Sequence, residues 1–544
     1  MFHFTSRITS FLSGQVSLNL QQFRSERWAL LWTLAALVGL ACAGAAILFR
    51  FAISGIQLLW LGTMSETILD IAHDLPWWTI ILAPTLAGLV VGVILQWLMP
   101  SRRAEGVADV IEVQMMRDGE IPLRNGLWNA VLTAISLGGG ASAGREGPVV
   151  HLGATLASAV GRMFTLTIAA RRIILSCGAA AAVSASFNAP LAGVVFAHEI
   201  VLGYYSRAAF IPIAVSSATA AIISRLWFGD FPAFIIPSYQ ITSYWEFPAF
   251  ALLGWTCAAV AILFQYGIVI ADKAARNIVI PLWTRPVIGG LMIGIMALWI
   301  PEILGVGYEA TDKALHQQIP LLMLILFVAA KCAATAITLA SRFGGGIFSP
   351  SLYIGAMTGS AFGFIAASAY PEMASSNGLY AILGMGAIAG SVLGAPLSTI
   401  LIVFELTGGL AMSVALLVTV SISYALTQLV FSGSFFKWQL AMRGIFLHEG
   451  KQNALLNGIR VRDFLQPAKA DEAPPEINLE TSTNWLLRSD NLETALRTID
   501  AAGRSRVPVF DRGNPDIFVG WAVHVDALET YNTALIRASH EEHS

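Results

Sequence analysis

Charged residues are scarce in this chain of 544 residues. Only 12% of them are Asp, Glu, Lys or Arg, against ~25% in ordinary soluble domains. Long uncharged runs occur instead, at residues 28–49, 76–100, 247–271 and 410–432. Each run is long enough to cross a bilayer, which takes about 20 apolar residues. The composition predicts a multi-pass membrane protein, and the net charge of −2 gives no sign of a nucleic-acid partner.

Cysteine is rare as well. The four cysteines lie in apolar runs, without the spacing of a disulfide framework or a metal site. We interpret them as small core residues and expect neither a metal nor another cofactor. A secretory signal is also lacking, because the first apolar run is too long and begins too far from the start. Arg24 and Arg27 precede that run, so the positive-inside rule predicts a cytoplasmic N-terminus.

Three regions follow one another along the chain. Residues 1–27 mix apolar and polar side chains and predict an amphipathic helix on the cytoplasmic face. Residues 28–444 form the membrane domain, where many apolar pieces of about 10–14 residues are broken by Gly or Pro. Such pieces predict half-helices and re-entrant segments that are enclosed by protein. Residues 445–544 are charged and predict a separate soluble domain, with a Pro/Ala/Glu-rich stretch at 466–476.

The sequence GREGP at residues 144–148 places two charges, Arg145 and Glu146, between apolar runs. Charges at membrane depth are costly and usually mark an ion or substrate pathway. Gly144 and Gly147 let the backbone approach a ligand closely, and Pro148 suits the first turn of a helix. Exposed N–H groups at a helix start bind anions. The motif therefore predicts an anion site with a titratable carboxylate beside it.

Two motifs occur twice, in the same order. GREGP and the following VVHLGA parallel GIFSP at 346–350 and the following SLYIGA. NAPL at 188–191 parallels GAPL at 394–397, and Glu199 and Glu405 lie at the same distance after each proline (190 to 199, 396 to 405). Segments broken by Gly and Pro at corresponding positions of two halves predict a transporter with its site near the membrane midplane.

Two weaker patterns suggest an enzyme instead. Residues 140–144, GASAG, match the G-x-S-x-G pattern around a nucleophilic serine, which would be Ser142. No strand precedes this pattern, and it leads directly into GREGP. His198 and Glu199 begin like a zinc-peptidase motif, but Leu202 stands where the second histidine is needed. We therefore expect no enzymatic activity.

GREGP, GIFSP and the glycine-rich runs before them resemble the CLC family of chloride channels and chloride–proton antiporters, over residues 28–444. The resemblance implies an all-α polytopic membrane protein, an inverted-repeat helical bundle with re-entrant half-helices. It also implies a homodimer with one pore per subunit and both termini in the cytoplasm. The partners it implies are chloride or other small anions, protons and the lipid bilayer. We expect the inner membrane of a bacterium as the location.

Residue roles follow from the same resemblance. Glu146 matches the gating glutamate, which occupies the anion path when ionised and leaves it when protonated. The backbone N–H groups of Ile347 and Phe348 match those that hold the central anion. The implied anion-binding set is Gly144, Arg145, Gly147, Gly346, Ile347 and Phe348, with Glu105 and Phe436 at two further family positions.

Both of these further positions depart from the family pattern. Glu105 stands where the family has a serine hydroxyl, and Phe436 stands where it has a pore tyrosine. An ionised Glu105 would repel an anion, so either it turns away from the pore or anion binding is linked to proton uptake. Phe436 supplies a ring without a hydroxyl. Because both side-chain donors are missing, we predict weak discrimination in favour of chloride.

The route for protons departs as well. The antiporters carry a glutamate pair after the Ala-Pro-Leu segment, and here Glu199 matches the first member while Ile200 replaces the second. An aliphatic side chain carries no proton, which favours a passive channel. Other titratable groups are at hand, so the possible proton path is Glu105, Glu146, His198 and Glu199. His198 as a core residue and Glu199 as a helix-end partner are the alternatives. We predict proton-coupled exchange, with a voltage- or pH-gated passive channel as the alternative.

Residues 458–534 resemble one copy of a CBS (cystathionine-β-synthase) module. The resemblance rests on VRD at 461–463, a helix-like stretch at 491–496, the sequence RVPVFD at 506–511, and Val519 and Gly520 with Asp526. The alternation in Arg506–Phe510 predicts a buried strand. Such modules usually work in pairs, and this single copy would pair across a dimer. Val523 replaces the Ser or Thr of ligand-binding copies. We expect a dimer-stabilising role and no nucleotide, with nucleotide binding as the alternative.

Overall fold

The computed structural model describes most of the chain. Its described residues are 28–64, 71, 75–116, 119–229, 241–369, 371–372, 374–407, 412–431, 433–445, 456, 459–468, 484–511 and 517–543, with the backbone alone for 537–543. The amphipathic helix predicted for residues 1–27 lies outside these residues. Most of the Pro/Ala/Glu-rich stretch lies outside them too.

Helices make up the membrane region. The first half comprises α1 (Trp28–Leu61), α2 (Trp77–Trp97), α3 (Val107–Met116), α4 (Leu123–Gly138), α5 (Glu146–Met163), α6 (Ile168–Phe187), α7 (Pro190–Phe196) and α8 (Arg207–Phe228). A π-helical segment, Ala197–Leu202, continues α7. The second half comprises α9 (Phe247–Asn277), α10 (Thr284–Trp299), α11 (Tyr308–Leu315), α12 (Leu321–Ala340), α13 (Phe348–Ala369), α14 (Asn377–Leu393), α15 (Pro396–Thr407) and α16 (Ser413–Phe431), followed by α17 (Phe435–Ala441).

Eight helices in the described part of the chain are long and apolar enough to cross a membrane. Four of them, α1, α2, α9 and α16, cover the uncharged runs that the sequence singled out. The first continues to Leu61, past its expected end at residue 49, because Arg50 does not break it. The Arg50 guanidinium lies 4.2 Å from the ring centre of Phe228 on α8. The short apolar helices α7, with its π-helical continuation, and α15 match the half-helices that the broken apolar pieces predicted.

The two halves repeat the same local structure. Thr167 and Ser376 cap α6 and α14 by accepting a hydrogen bond from the N–H three residues further on. Asn188 and Gly394 end the same two helices in the left-handed conformation, directly before the two Ala-Pro-Leu segments. Matching caps at matching positions explain why the second-half helices begin and end like their first-half counterparts.

Glycines set the spacing of the central helix pairs. A Cβ atom on Gly153 would lie 2.4 Å from the carbonyl oxygen of Gly178, which would clash across the α5–α6 contact. A Cβ atom on Gly355 would lie 2.4 Å from the carbonyl oxygen of Gly384, across the α13–α14 contact. Small residues at helix contacts allow close packing in membranes, where burial of apolar surface gives no driving force. All 17 residues of α14 are buried, so the second pair lies at the core of the molecule.

Gly144 and Gly346 join the two halves directly. Each donates its N–H to the carbonyl oxygen of the other at 2.7 Å, which forms an antiparallel bridge. The bridged segments lead into α5 and α13, so the two helix starts are held side by side. This reciprocal contact is what a pseudo-twofold relation between the halves produces, and it follows the repeated motifs seen in the sequence.

The C-terminal region is a small α/β unit. It contains β1 (Leu465–Pro467), β2 (Leu486–Leu487), α18 (Leu492–Ala502), β3 (Arg506–Phe510), β4 (Phe518–Val523) and α19 (His524–His543). The sheet has the order β1-β4-β3-β2, with β2 parallel to β3 and the other pairs antiparallel. The strand predicted at Arg506–Phe510 is confirmed as β3, and its last four residues are buried. Its neighbours contribute apolar side chains to the same small core.

Candidate anion-binding cavity

A cavity of about 300 Å³ lies beneath the joined starts of α5 and α13. It brings together residues that are far apart in sequence. Seven of the predicted site residues line it: Glu105, Glu146, Gly147, Gly346, Ile347, Phe348 and Phe436. The sequence therefore named much of one contiguous site, although Gly144 and Arg145 are not among its described lining residues.

Two helix starts point at this cavity. Glu146 is the first residue of α5 and Phe348 the first of α13, and both line the wall. The first N–H groups of a helix have no acceptor within the helix, and the helix dipole makes this end positive. Facing helix starts therefore form an anion-binding environment without any basic side chain. Arg145 itself lies beside the cavity, with its guanidinium 5.1 Å from the ring centre of Tyr308.

The Glu146 carboxylate is buried at this junction, with only 2% of the residue exposed. Its Oε1 accepts a hydrogen bond of 2.9 Å from the Tyr308 hydroxyl. Its Oε2 lies against Gly144, because a Cβ atom on that glycine would be 2.6 Å from Oε2 and 3.0 Å from the Ser349 N atom. Glycine at position 144 therefore makes room for the carboxylate beside the start of α13.

Glu105 lines the cavity, yet its carboxylate also has a partner. Its Oε2 lies 3.2 Å from Nε2 of His151 on α5. Burial raises the pKa of the Glu105 carboxyl, but the interaction with His151, chiefly the hydrogen bond, lowers the pKa by more and leaves it below its usual value. Glu105 thus lines the cavity while its carboxylate contacts His151. Linkage of anion binding to proton uptake at this residue stays a prediction.

Phe436 contributes a buried aromatic wall. It lies on α17, is 7% exposed, and presents only its ring to the cavity. The neighbouring Phe435 ring also lines the cavity, with the two ring centres 6.4 Å apart. No hydroxyl is available at this position to donate a hydrogen bond to an anion. Phe436 itself can therefore offer an anion only weak contacts with its ring edge.

The far end of the cavity is lined by paired charges. Arg443 donates hydrogen bonds to Asp109 at 2.8 Å and to Glu112 at 3.2 Å, and Arg103 also pairs with Asp109. Burial raises the pKa of the Asp109 carboxyl, but Arg103 and Arg443 lower it by more, so it lies below its usual value. Among the described residues, the lining contains four arginines and four carboxylates, namely Arg103, Arg276, Arg342, Arg443, Glu105, Asp109, Glu146 and Asp272. With every group ionised, these charges cancel.

His198 and Glu199 are not among the described residues that line the cavity. The ring nitrogens of His198 lie 2.9 Å from the carbonyl oxygen of Val194 and 3.3 Å from that of Ser206. The Glu199 carboxylate accepts hydrogen bonds from the N–H groups of Leu397 and Ser398, at the start of α15. Both side chains are thus engaged elsewhere in the bundle, and a proton route through them has no geometric support in this cavity.

Comparison with known proteins gives the family. The model of the family described as voltage gated chloride channel matches residues 87–428. The chain belongs to this family. A ClcB-like chloride channel protein of Ralstonia nicotianae is 34% identical over 378 residues, which cover 69% of this chain and 88% of that protein. The voltage-gated ClC-type chloride channel ClcB of Escherichia coli is 27% identical over 416 residues, 75% of this chain and 98% of the relative.

Solved structures of the CLC family show the same fold. A slow cyanobacterial Cl−/H+ antiporter has a TM-score of 0.68 at 22% identity, over 76% of this chain and 97% of its own. A CLC-type fluoride/proton antiporter has a TM-score of 0.64 at 23% identity, over 76% of this chain and 98% of its own. The predicted resemblance and the predicted fold class, a helical polytopic CLC-type bundle with a small α/β region, are confirmed. The chain is a multi-pass membrane protein.

The structure adds polar residues around the cavity lining that sequence reasoning missed. His151 contacts Glu105, Tyr308 contacts Glu146, and Asn129 hydrogen-bonds the backbone of Glu105. Lys331 is fully buried on α12 and donates to the carbonyl oxygens of Ile303 and Gly305, in the segment leading to Tyr308. His151 and Lys331 could have been singled out from the sequence, because each is a polar residue inside an otherwise apolar run. No local signal pointed to Tyr308.

The two sequence patterns that suggested an enzyme lack, among the described residues, the partner groups that catalysis would need. Ser142 is fully buried, and its hydroxyl has no hydrogen-bond partner among the described residues. A nucleophilic serine needs a base within hydrogen-bond reach. No group of three or more His, Cys, Asp or Glu residues suited to a metal occurs in the described ranges. The four cysteines are free thiols, three of them buried.

Proposed function

We propose that this protein exchanges chloride or a related small anion for protons across the membrane, with Glu146 as the gate. One observation carries the proposal: the buried Glu146 carboxylate lies at the meeting point of two helix starts, at the head of the cavity. An ionised carboxylate and a permeant anion compete for the same positive environment there. Protonation of Glu146 removes its negative charge, so the side chain no longer competes with the anion and the path is free.

A further carboxylate in the cavity, that of Glu105, favours proton-coupled exchange over a passive channel. Glu105 shares the cavity with Glu146, so anions and protons have binding groups in one space. Among the relatives, two solved structures are named as antiporters and the two sequence relatives are named as channels. Ile200 leaves the usual inner proton position without a titratable group. A rerouted proton path is therefore part of the proposal, and enzymatic activity is not.

The deciding experiment measures anion and proton movement in liposomes. Vesicles are loaded with chloride, nitrate, bromide or fluoride, and external pH is followed while an anion gradient drives transport. We expect uphill proton movement that Glu146→Gln abolishes, while the exposed surface carboxylate variant Glu120→Gln behaves like the parent. Anion flux without proton movement would make the protein a channel. Absence of flux for all four anions would refute anion transport.

We further propose that the protein is a homodimer of the inner membrane with both termini in the cytoplasm. The C-terminal unit follows the order β-α-β-β-α from β2 onward, which supports the proposed CBS-like module pairing across the dimer. We propose no nucleotide or other cofactor there, since Val523 stands at the usual Ser or Thr position. The mass of the detergent-solubilised protein by light scattering tests the dimer. A thermal shift with adenine nucleotides tests the module, and a clear stabilisation would contradict the proposal.

A further inference from the structure

Glu105 and His151 form a buried pair on the wall of the anion cavity. Their closest atoms, Oε2 and Nε2, are 3.2 Å apart, and their side chains are 12% and 2% exposed. Glu105 lies just before α3, whereas His151 lies on α5, one and a half turns beyond Glu146. His151 therefore lies on the same helix as the gate, and Glu105 lines the same cavity.

Asn129 on α4 fixes the orientation of this pair. Its Oδ1 accepts from the N–H of Glu105 at 2.8 Å, and its Nδ2 donates to the carbonyl oxygen of Glu105 at 2.9 Å. The amide orientation is thus determined, and Nδ2 lies 3.4 Å from Nδ1 of His151. An amide nitrogen only donates, so Nδ1 is the acceptor and the ring proton sits on Nε2, facing Glu105.

Charged groups approach the pair from several sides. The charge of Asp109, on α3, interacts electrostatically with Glu105 and His151. The charge of Arg103, on the preceding loop, interacts electrostatically with Glu105. Arg443, after α17, pairs with Asp109 and Glu112. The Ser101 hydroxyl also bonds to Glu105. The two arginines are paired with Asp109 and Glu112. Within this cluster, the Glu105 carboxylate lines the cavity and also contacts the His151 ring.

We propose that Glu105 and His151 form a second proton-binding site, separate from Glu146, in which proton uptake and anion occupancy favour each other. The inference rests on the proposed function, because it supplies the inner proton group that Ile200 does not. The proton adds to the Glu105 carboxylate, and the His151 Nε2–H keeps its hydrogen bond to the neutral acid. The pair passes from one negative charge to none, and no other bond changes.

The charge balance of the cavity gives the reason for the coupling. Four arginines and four carboxylates line it, so protonation of Glu105 leaves one net positive charge facing the anion. An anion that enters first repels the carboxylate and favours its protonation by the same factor, because linkage is reciprocal. One unit charge acting over several ångströms in a partly polar cavity changes anion affinity by roughly tenfold or more.

The test measures anion binding to the full-length protein in detergent at several pH values. The background is Glu146→Gln, which removes the gate's own titration. The probe is chloride, or whichever of chloride, nitrate, bromide and fluoride gives the largest liposome flux. Calorimetry in two buffers of different ionisation enthalpy counts the protons taken up per anion. We expect binding to tighten as the pH falls from 7.5 to 4.5 and further below it, with proton uptake on binding. The full change of about tenfold should be reached only below the lowered pKa of Glu105.

The double variant Glu146→Gln/Glu105→Gln should bind with the same affinity at both pH values and take up no proton. The glutamine retains an oxygen that accepts from His151, so the pair's geometry is kept; Glu105→Ser is a second variant that keeps the backbone contacts with Asn129. Glu146→Gln/His198→Gln is the matched control and should behave like Glu146→Gln. The inference is overturned if proton uptake on anion binding persists in both Glu105 variants. It is also overturned if the Glu146→Gln protein takes up no proton on anion binding. Loss of liposome flux would refute transport instead, since these binding measurements do not depend on flux.

Discussion

Glu199 and Glu405 occupy corresponding positions in the two halves, and each carboxylate binds the helix start of the other half. Glu405 accepts from the N–H groups of Leu191 and Ala192 at 3.0 and 2.8 Å, at the start of α7. Glu199 accepts from Leu397 and Ser398 at 3.2 and 2.8 Å, at the start of α15. Carboxylates at helix N-termini satisfy free N–H groups and the positive end of the dipole. The two contacts lock the halves together reciprocally.

This exchange predicts that both glutamates matter for stability and neither for coupling. Glu199→Gln and Glu405→Gln should each lower the free energy of unfolding by about 1.5–3 kcal/mol, the usual worth of hydrogen bonds to a charged group. Thermal unfolding in detergent checks this, with Glu120→Gln at an exposed ion pair as the control. In liposomes the ratio of protons to anions should not change. A changed ratio in Glu199→Gln would make that residue part of the proton path.

Gly144 should be intolerant of any side chain. The Cβ atom of Gly144→Ala would collide with Oε2 of Glu146 at 2.6 Å and crowd the Ser349 N atom at 3.0 Å. The carboxylate would be displaced from the helix junction, so anion flux should lose most of its pH dependence. Gly267→Ala is the matched control, because a Cβ atom there meets nothing within 4 Å. A Gly144→Ala protein that keeps the parent's pH profile would contradict the placement of the gate.

Tyr308→Phe should move the pH dependence of flux to higher pH. The hydroxyl donates at 2.9 Å to Oε1 of Glu146, and such a bond favours the ionised carboxylate. Without it, protonation becomes easier, and the path opens at lower proton concentration. A hydrogen bond to a charged group is worth about 1.5–3 kcal/mol, so the displacement of the flux profile should be large enough to measure.

Liposome flux measured across a pH series checks the Tyr308 prediction. Tyr266→Phe serves as the control, because this tyrosine lies on α9 and 41% of it is exposed. A shift to lower pH, or an equal shift in both variants, would rule out a specific contact between Tyr308 and the gate.

Phe436→Tyr should strengthen chloride binding. The ring already lines the cavity with Ile347 and Phe348, and the added hydroxyl supplies the missing side-chain donor. A net gain of about 0.5–1.5 kcal/mol corresponds to roughly two- to tenfold in affinity. Calorimetric titration with chloride checks this, with Phe164→Tyr, at a residue that is 42% exposed, as the control. Unchanged affinity in Phe436→Tyr would show that the anion does not approach this ring.

The sequence by itself determined the class of molecule and the anchor points of its site. Membrane spans, half-helices and caps follow from local patterns, because hydropathy and Gly/Pro placement act over a few neighbouring residues. GREGP and GIFSP likewise placed Glu146 and the Ile347–Phe348 backbone at helix starts, since a helix start has a local signature. The end of α1 was misjudged, because Arg50 finds an aromatic partner on α8.

Only the tertiary structure decided which polar groups meet. Tyr308 reaches Glu146 across 162 residues, and Glu199 reaches the start of α15 across 198. Glu105 comes from the loop before α3, His151 from α5 and Asn129 from α4. No local pattern encodes such contacts, because they arise when the pseudo-twofold packing of the two halves brings distant helix starts together. Membrane burial favours such contacts between polar groups, since an unpaired one is costly there.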